Sequence, residues 1–365
     1  MQATAAVLEA FHQPLALRDF AVQPLNAGET LIRIRAAGVC GSDVHMWRGH
    51  DPRTPLPLIL GHEGIGEIAE LPDDRRDLLG QPLEPGDLVA WERGIMCGRC
   101  YYCVIKKQPA LCLTRRTYGI SVGCAEPPHL RGCYAQYLHL MPGAHLIKLE
   151  PQADADLLVA ATCAGATAAH AVQLSRVQPG DTVLIVGPGP VGVFCLAMAL
   201  EAGASAVYVM GTPADAGRLE LCREFGAAGV ISTGDLTPDQ RRQFLLDHTH
   251  GLGVNAALDC SGAPAALVEC LEYMAAYGTY CLSGIATPVG EVAIPVFERL
   301  ARKNVSLQGV WVSDTAHLLQ ALQLAQSGRY PFERLVTHRL PLSEATEALA
   351  IMERREAIKI VLHPW

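Results

Sequence analysis

At 365 residues the chain is too long for one ordinary core, so two domains are expected. Half of the residues are hydrophobic and 18% are charged, which lets the chain bury a large core. A net charge of −8 removes any electrostatic reason to expect nucleic acid as a partner.

Thirteen cysteines, odd in number and with four of them clustered, point to reduced thiols and metal rather than a disulfide scaffold. The segment Met1 to Glu9 has no basic stretch followed by a long apolar run, so no secretory leader is expected and the chain reads as cytoplasmic. The most apolar stretch, Val183 to Met210, is broken by glycines, prolines and Glu201, which argues against a membrane span.

From residue 1 to about 90 the chain reads as short strands with turn punctuation. Thr30 to Arg35 alternates apolar and polar residues, the period of a half-buried strand, and Glu84-Pro-Gly-Asp is a turn before another. Within this β-rich portion lie two stretches, Gly38-Val-Cys-Gly-Ser-Asp-Val-His45 and Leu58-Ile-Leu-Gly-His-Glu-Gly-Ile-Gly66. They place a thiol (Cys40), an imidazole (His62) and a carboxylate (Glu63) among glycines and apolar residues. Zinc takes Cys and His ligands tetrahedrally, and a catalytic site leaves one position open.

Cys97, Cys100 and Cys103 follow, with Cys112 nine positions further on. Four thiolates close a zinc coordination sphere completely, so this set reads as structural rather than catalytic. Lys106, Lys107 and Gln108 lie inside the stretch and speak against an alternative of free core cysteines.

From about residue 155 the texture changes. Asp156 to Leu174 is Ala-rich with apolar residues at helical intervals and carries Cys163 and His170. Asp181 to Val186 is a continuous apolar strand, suited to burial on both faces of a parallel sheet. It runs into Gly187-Pro-Gly189-Pro190-Val191-Gly192 and then a helical run from Val193 to Ala202. Strand, Gly-x-Gly-x-x-Gly and helix together form a dinucleotide fingerprint, in which glycines allow a tight turn and close approach of a pyrophosphate. Further strands at Ala206–Met210, Gly229–Ile231, Asn255–Asp259 and Gly278–Leu282 alternate with helical stretches, which means a doubly wound parallel sheet. Two amphipathic helices (Thr315–Ser327 and Ser343–Arg354) and a strand (Ala357–Leu362) close the chain, the strand returning to the first domain.

As a set, Gly38–Asp43, Gly61–Gly66, the cysteine lobe and Gly187–Gly192 resemble the zinc-dependent medium-chain alcohol dehydrogenase family over nearly the whole chain. The resemblance implies an α/β protein: a β-rich, GroES-like catalytic domain plus a Rossmann doubly wound parallel-sheet cofactor domain. The expected bounds are 1–160 for the zinc-binding domain (cysteine lobe 95–113), 161–312 for the cofactor domain and 313–365 for the return.

The resemblance also implies a catalytic zinc on Cys40, His62 and a third ligand. Cys163 opens Cys163-Ala-Gly-Ala-Thr167, similar to the family's third-ligand segment; His170 is the alternative. Glu63 matches an exchangeable or outer ligand, and its alternative reading is a buried ion pair. Ser42 and His45 match a proton relay, in which a hydroxyl takes the alcohol proton and an imidazole of ordinary pKa about 6.5 releases it. Asp43 is read as ordering the loop or orienting the metal shell; Trp47 and His50 line the substrate site if the loop after His45 does, and are otherwise packing or surface residues. NAD or NADP is implied, with Thr167, Gly187, Gly189, Pro190, Val191, Gly192, Gly211, Thr212 and Arg218 contacting it.

Two departures stand out. Eight residues separate Cys103 from Cys112, one more than the common pattern, with the fourth ligand expected to survive. Gly211-Thr-Pro213 stands where an NAD enzyme carries an acidic residue for the ribose, so NADP is expected to serve at least as well as NAD, unless Asp215 swings toward the ribose. The expected activity is zinc-dependent hydride transfer between an alcohol (secondary, cyclic or polyol) and NAD(P), in a homodimer or homotetramer without nucleic-acid or membrane partners. The alternatives are a non-catalytic nicotinamide-binding or structural zinc protein, and a related reductase without catalytic zinc.

Overall fold

The strand expected at Thr30–Arg35 continues to Val39 in the computed structural model, which describes residues 1–365. Its two flanks explain the extension. Thr30–Val39 pairs antiparallel with Gly64–Glu70 on one side and with Lys359–His363 on the other, so its second half is buried. These belong to a seven-stranded sheet that also takes in Leu146–Lys148, Leu88–Trp91 and Val336–Pro341, with Tyr137–Leu140 paired to Thr30–Val39. A three-stranded sheet of Ala16–Ala21, Gln2–Leu8 and Leu58–Ile59 completes the β-rich architecture. The core here gathers Ile32, Ile34, Ile59, Leu60, Trp91, Tyr134 and Ile360, each essentially without solvent exposure.

Three strand boundaries thereby meet. Val39 ends one strand and leads into Cys40, Gly64 opens the next strand just after His62 and Glu63, and Lys359 opens the last. Close packing demands glycine at Gly38, where any Cβ would collide with the Glu63 carboxylate.

This unit comprises Met1–Cys163, Asp314–Gln326 and Phe332–Trp365. A second unit, Ala164–Ser313 with Ser327–Pro331, is built on six parallel strands. Their order is Gly229–Ser232, Ala206–Gly211, Thr182–Val186, Val254–Asp259, Met274–Leu282 and Ser306–Gly309. The order reverses direction beside Thr182–Val186, the switch point at which doubly wound sheets bind nucleotides.

The long helix expected over Asp156–Leu174 is instead two. Asp154 caps Ala155–Val159 through hydrogen bonds to the backbone N–H of Asp156 and Leu157, a 3₁₀ turn follows, and a new helix runs Ala164–Ser175. Cys163 falls at the break with φ −127° and ψ −66°, outside helical geometry. Apolar periodicity cannot reveal such a break, because the Ala-rich sequence suits either side of it. No single helix is long and apolar enough to cross a membrane.

Candidate metal and cofactor sites

Ligand atoms of Cys40, His62, Glu63 and Cys163 all lie within 4.8 Å of one another. The set is drawn from the start of a short helix (Gly41–Trp47), the approach to Gly64–Glu70 and the helix break at Cys163. His62 Nε2 is 3.4 Å from Cys163 Sγ, whereas its Nδ1 is 3.2 Å from Asp43 Oδ1. Asp43 is fully buried; its Oδ2 accepts from the Cys40 N–H at 2.8 Å and from the Tyr134 hydroxyl at 3.0 Å. One carboxylate thus orders the Cys40 loop and directs His62 Nε2 at the cluster, the outer support that metal-bound histidines use.

The electrostatics follow from these contacts. Burial disfavours a charged His62, but Asp43 and then Cys40 outweigh it and push the imidazole up to about 10. Hydrogen bonding to Cys163 holds the Cys40 thiol well below its ordinary range. Burial pushes Glu63 up to about 7, although Lys359 pulls the other way. Lys359 Nζ donates to both Glu63 oxygens, at 2.7 and 2.9 Å, and to the Val39 carbonyl at 3.2 Å. Sulfur and imidazole donors beside a buried carboxylate suit zinc, so the residues present fit that ion.

His170 is not one of these donors: its Nδ1–H donates to the Val312 carbonyl at 2.9 Å, and the ring is buried. Ser42 Oγ is 3.8 Å from Cys40 Sγ, and His45, half-buried, faces His50 with ring centroids 6.0 Å apart. Burial, then His50, lower the His45 pKa. Of the two readings of Trp47, the structure shows the packing one. It is buried in the core, where its indole N–H donates to the Gln13 carbonyl at 2.7 Å and Arg48 stacks on its outer face. His50 is exposed.

Sequence reasoning missed Lys359, Tyr134 and Arg93. Lys359 carried a signal, a lone cation at the head of an otherwise apolar terminal strand. Tyr134 and Arg93 carried none, since neither lies in a motif.

The sulfurs of Cys97, Cys100, Cys103 and Cys112 form a second cluster with all ligand atoms within 4.8 Å. Backbone N–H groups of Arg99 and Cys100 favour the thiolate of Cys97 and lower it to about 6. The Cys97 N–H in turn donates to Cys112 Sγ at 3.2 Å. The additional residue before Cys112 is accommodated by a left-handed Lys107 (φ 53°) and a 3₁₀ turn at Pro109–Leu111, so the fourth thiol keeps its place.

In the second unit, Gly187 adopts φ +94° at the end of its strand, and Gly189 is the N-cap of the helix Pro190–Glu201. A Cβ on Gly192 would strike the Gly187 carbonyl, whereas one on Gly189 would meet nothing within 4 Å. The first contact explains the tight turn, and the open space at Gly189 is where a pyrophosphate can approach the helix N-terminus. Val191 is half-buried within that first turn, as is Thr167 on its own helix. Beyond the second strand, Gly211 is buried and Thr212 exposed. Asp215 does not swing outward: its Oδ2 accepts from the Thr212 N–H (3.0 Å) and hydroxyl (2.6 Å), and Arg218 lies 3.4 Å from Oδ1.

Residues 26–151 match the family described as the alcohol dehydrogenase GroES-like domain, and residues 190–327 match the zinc-binding dehydrogenase family. An alcohol dehydrogenase crystal structure from Thermotoga maritima is 44% identical, covers both chains completely and superposes with a TM-score of 0.96. A 5-exo-hydroxycamphor dehydrogenase of Pseudomonas putida is 32% identical over 92% of this chain and 91% of its own. An L-threonine 3-dehydrogenase of Paraburkholderia phytofirmans is 29% identical over 95% of each. With both zinc-type donor sets and the dinucleotide fingerprint in place, the chain belongs to the zinc-dependent medium-chain alcohol dehydrogenases, oxidoreductases acting on alcohols with zinc and NAD(P).

Proposed function

We propose that the chain oxidises a secondary alcohol to a ketone, with Cys40, His62 and Cys163 holding the catalytic zinc and Glu63 beside it. The observation that carries this is the convergence of those donors within 4.8 Å. The names of the hydroxycamphor and threonine 3-dehydrogenases both describe a hydroxyl on a secondary carbon, which supports the substrate class. When bound, zinc supplies a Lewis acid that makes an alcohol oxygen more acidic.

The chain's own residues do the rest. Asp43 orients His62 and orders the Cys40 loop. Ser42 takes the alcohol proton and passes its own toward His45, whose lowered pKa keeps it a neutral acceptor at moderately acid pH. When bound, NAD(P)⁺ would supply the hydride acceptor, so that alcohol and NAD(P)⁺ would give ketone, NAD(P)H and one proton. Thr167, Gly187, Gly189, Pro190, Val191, Gly192, Gly211, Thr212 and Arg218 contact that cofactor. Cys97, Cys100, Cys103 and Cys112 hold a second, structural zinc.

The same reading includes a homodimer or homotetramer in the cytoplasm. Support for association comes from the edge strand Ser306–Gly309, which leaves Leu307 and nearby Trp311 part-exposed beside unpaired backbone. Thiolate ligands in turn need a reducing compartment. A panel of primary, secondary, cyclic and polyol alcohols, assayed with each cofactor by nicotinamide absorbance, tests the substrate class. Turnover confined to primary alcohols would sink it.

A further inference from the structure

Arg93 lies between the strands Leu88–Trp91 and Gly94–Ile95 and is only 4% exposed. Its Nη1 donates to Cys163 Sγ. The neighbouring carboxylate, Glu92, is engaged with Arg115 at 2.9 Å and with the Gly94 N–H at 3.1 Å. A second buried cation, Lys359, is committed to Glu63. A permanently charged guanidinium is therefore brought out of water against the sulfur of a candidate metal ligand.

We propose that Arg93 is a positioning residue that donates to the Cys163 thiolate while that thiolate holds the catalytic zinc, drawing charge off the sulfur and strengthening the Lewis acid. This rests on the metal reading given above. A thiolate has lone pairs for both a metal and a donor, and hydrogen bonds to ligating sulfur tune the metal they hold. The charges agree. Thiolates at Cys40 and Cys163 would offset a divalent ion and Lys359 offsets Glu63, so the Arg93 guanidinium adds positive charge beside the sulfur, which favours loss of a proton from the substrate oxygen. Arginine suits this place because its guanidinium stays protonated without needing a carboxylate at hand.

The test replaces zinc by cobalt(II) in the intact enzyme and in Arg93→Met and Arg93→Lys, and reads the thiolate-to-cobalt charge-transfer band. Raising the sulfur lone-pair energy should move the band to longer wavelength in Arg93→Met, with Arg93→Lys in between and both metals retained. Turnover should fall about 10- to 100-fold in Arg93→Met, the usual range for losing an outer-shell partner. An identical band in wild type and Arg93→Met overturns the proposal. Should that variant fail to fold, Arg93→Lys and a crystal structure of the zinc-loaded wild type decide; Arg93 nitrogens beyond hydrogen-bonding reach of Cys163 Sγ overturn it. A cobalt band unchanged in Cys163→Ala would instead sink the metal reading, and this inference with it.

Discussion

Asp43 Oδ1 lies 3.2 Å from His62 Nδ1, and neither side chain reaches solvent. The contact fixes which imidazole nitrogen faces Cys40 and Cys163. Asp43→Asn keeps an oxygen acceptor but loses the charge, so zinc affinity at this site should drop about 10- to 100-fold. Competition against a chromogenic chelator measures it, and wild-type affinity would remove Asp43 from the metal shell.

Metal analysis should return about two zinc equivalents per chain. Cys163→Ala should lose one with circular dichroism unchanged, while His170→Ala keeps both, since His170 is engaged with the Val312 carbonyl. Cys100→Ala should lose the other zinc and lower the melting temperature. The opposite pattern at Cys163 and His170 would reverse the third-ligand assignment.

Lys359 and Glu63 form a fully buried ion pair. Lys359→Met leaves a carboxylate in the core without its counter-ion and should cost about 3–5 kcal/mol in urea unfolding. The double variant Glu63→Gln/Lys359→Met should regain most of that. Equal instability of the single and double variants would assign the loss to packing instead.

His45→Gln should slow turnover most at low pH, because solvent hydroxide replaces a missing acceptor as pH rises. The sign follows from the environment: burial and then His50 lower the His45 pKa, so its neutral form persists below about 6.5. The wild-type acid limb should lie below that value. A pH–rate profile unchanged by the substitution would exclude His45 from the relay.

NADP should be used at least as well as NAD. Both Asp215 oxygens are engaged, by Thr212 and Arg218, and Gly211 offers no carboxylate to the ribose. Arg218→Ala should lower kcat/KM for NADP about tenfold, equivalent to about 1.4 kcal/mol, and leave NAD nearly unchanged. This variant is cleaner than Gly211→Asp, whose Cβ would press on Pro188 at 3.0 Å. A wild-type preference for NAD above about tenfold would show that another group reads the ribose.

Local sequence was enough for whatever depends on spacing along the chain. The cysteine lobe, the strand–glycine–helix fingerprint and the Cys40 and His62 stretches are each contained in a short segment, so their chemistry shows in residue order. The last strand, expected over Ala357–Leu362, was legible as a strand, and it pairs with Thr30–Val39. What remained hidden depends on residues far apart in sequence. Lys359 reaches Glu63 only because the last strand pairs with Thr30–Val39. Trp47 follows the relay residues in sequence, yet the helix it ends turns it into the core. Cys163 is presented by a helix break that an Ala-rich periodicity conceals, and Arg93 meets it across seventy positions. Periodicity and motif spacing record local geometry, whereas the partner of a buried charge is chosen by strand pairing and packing.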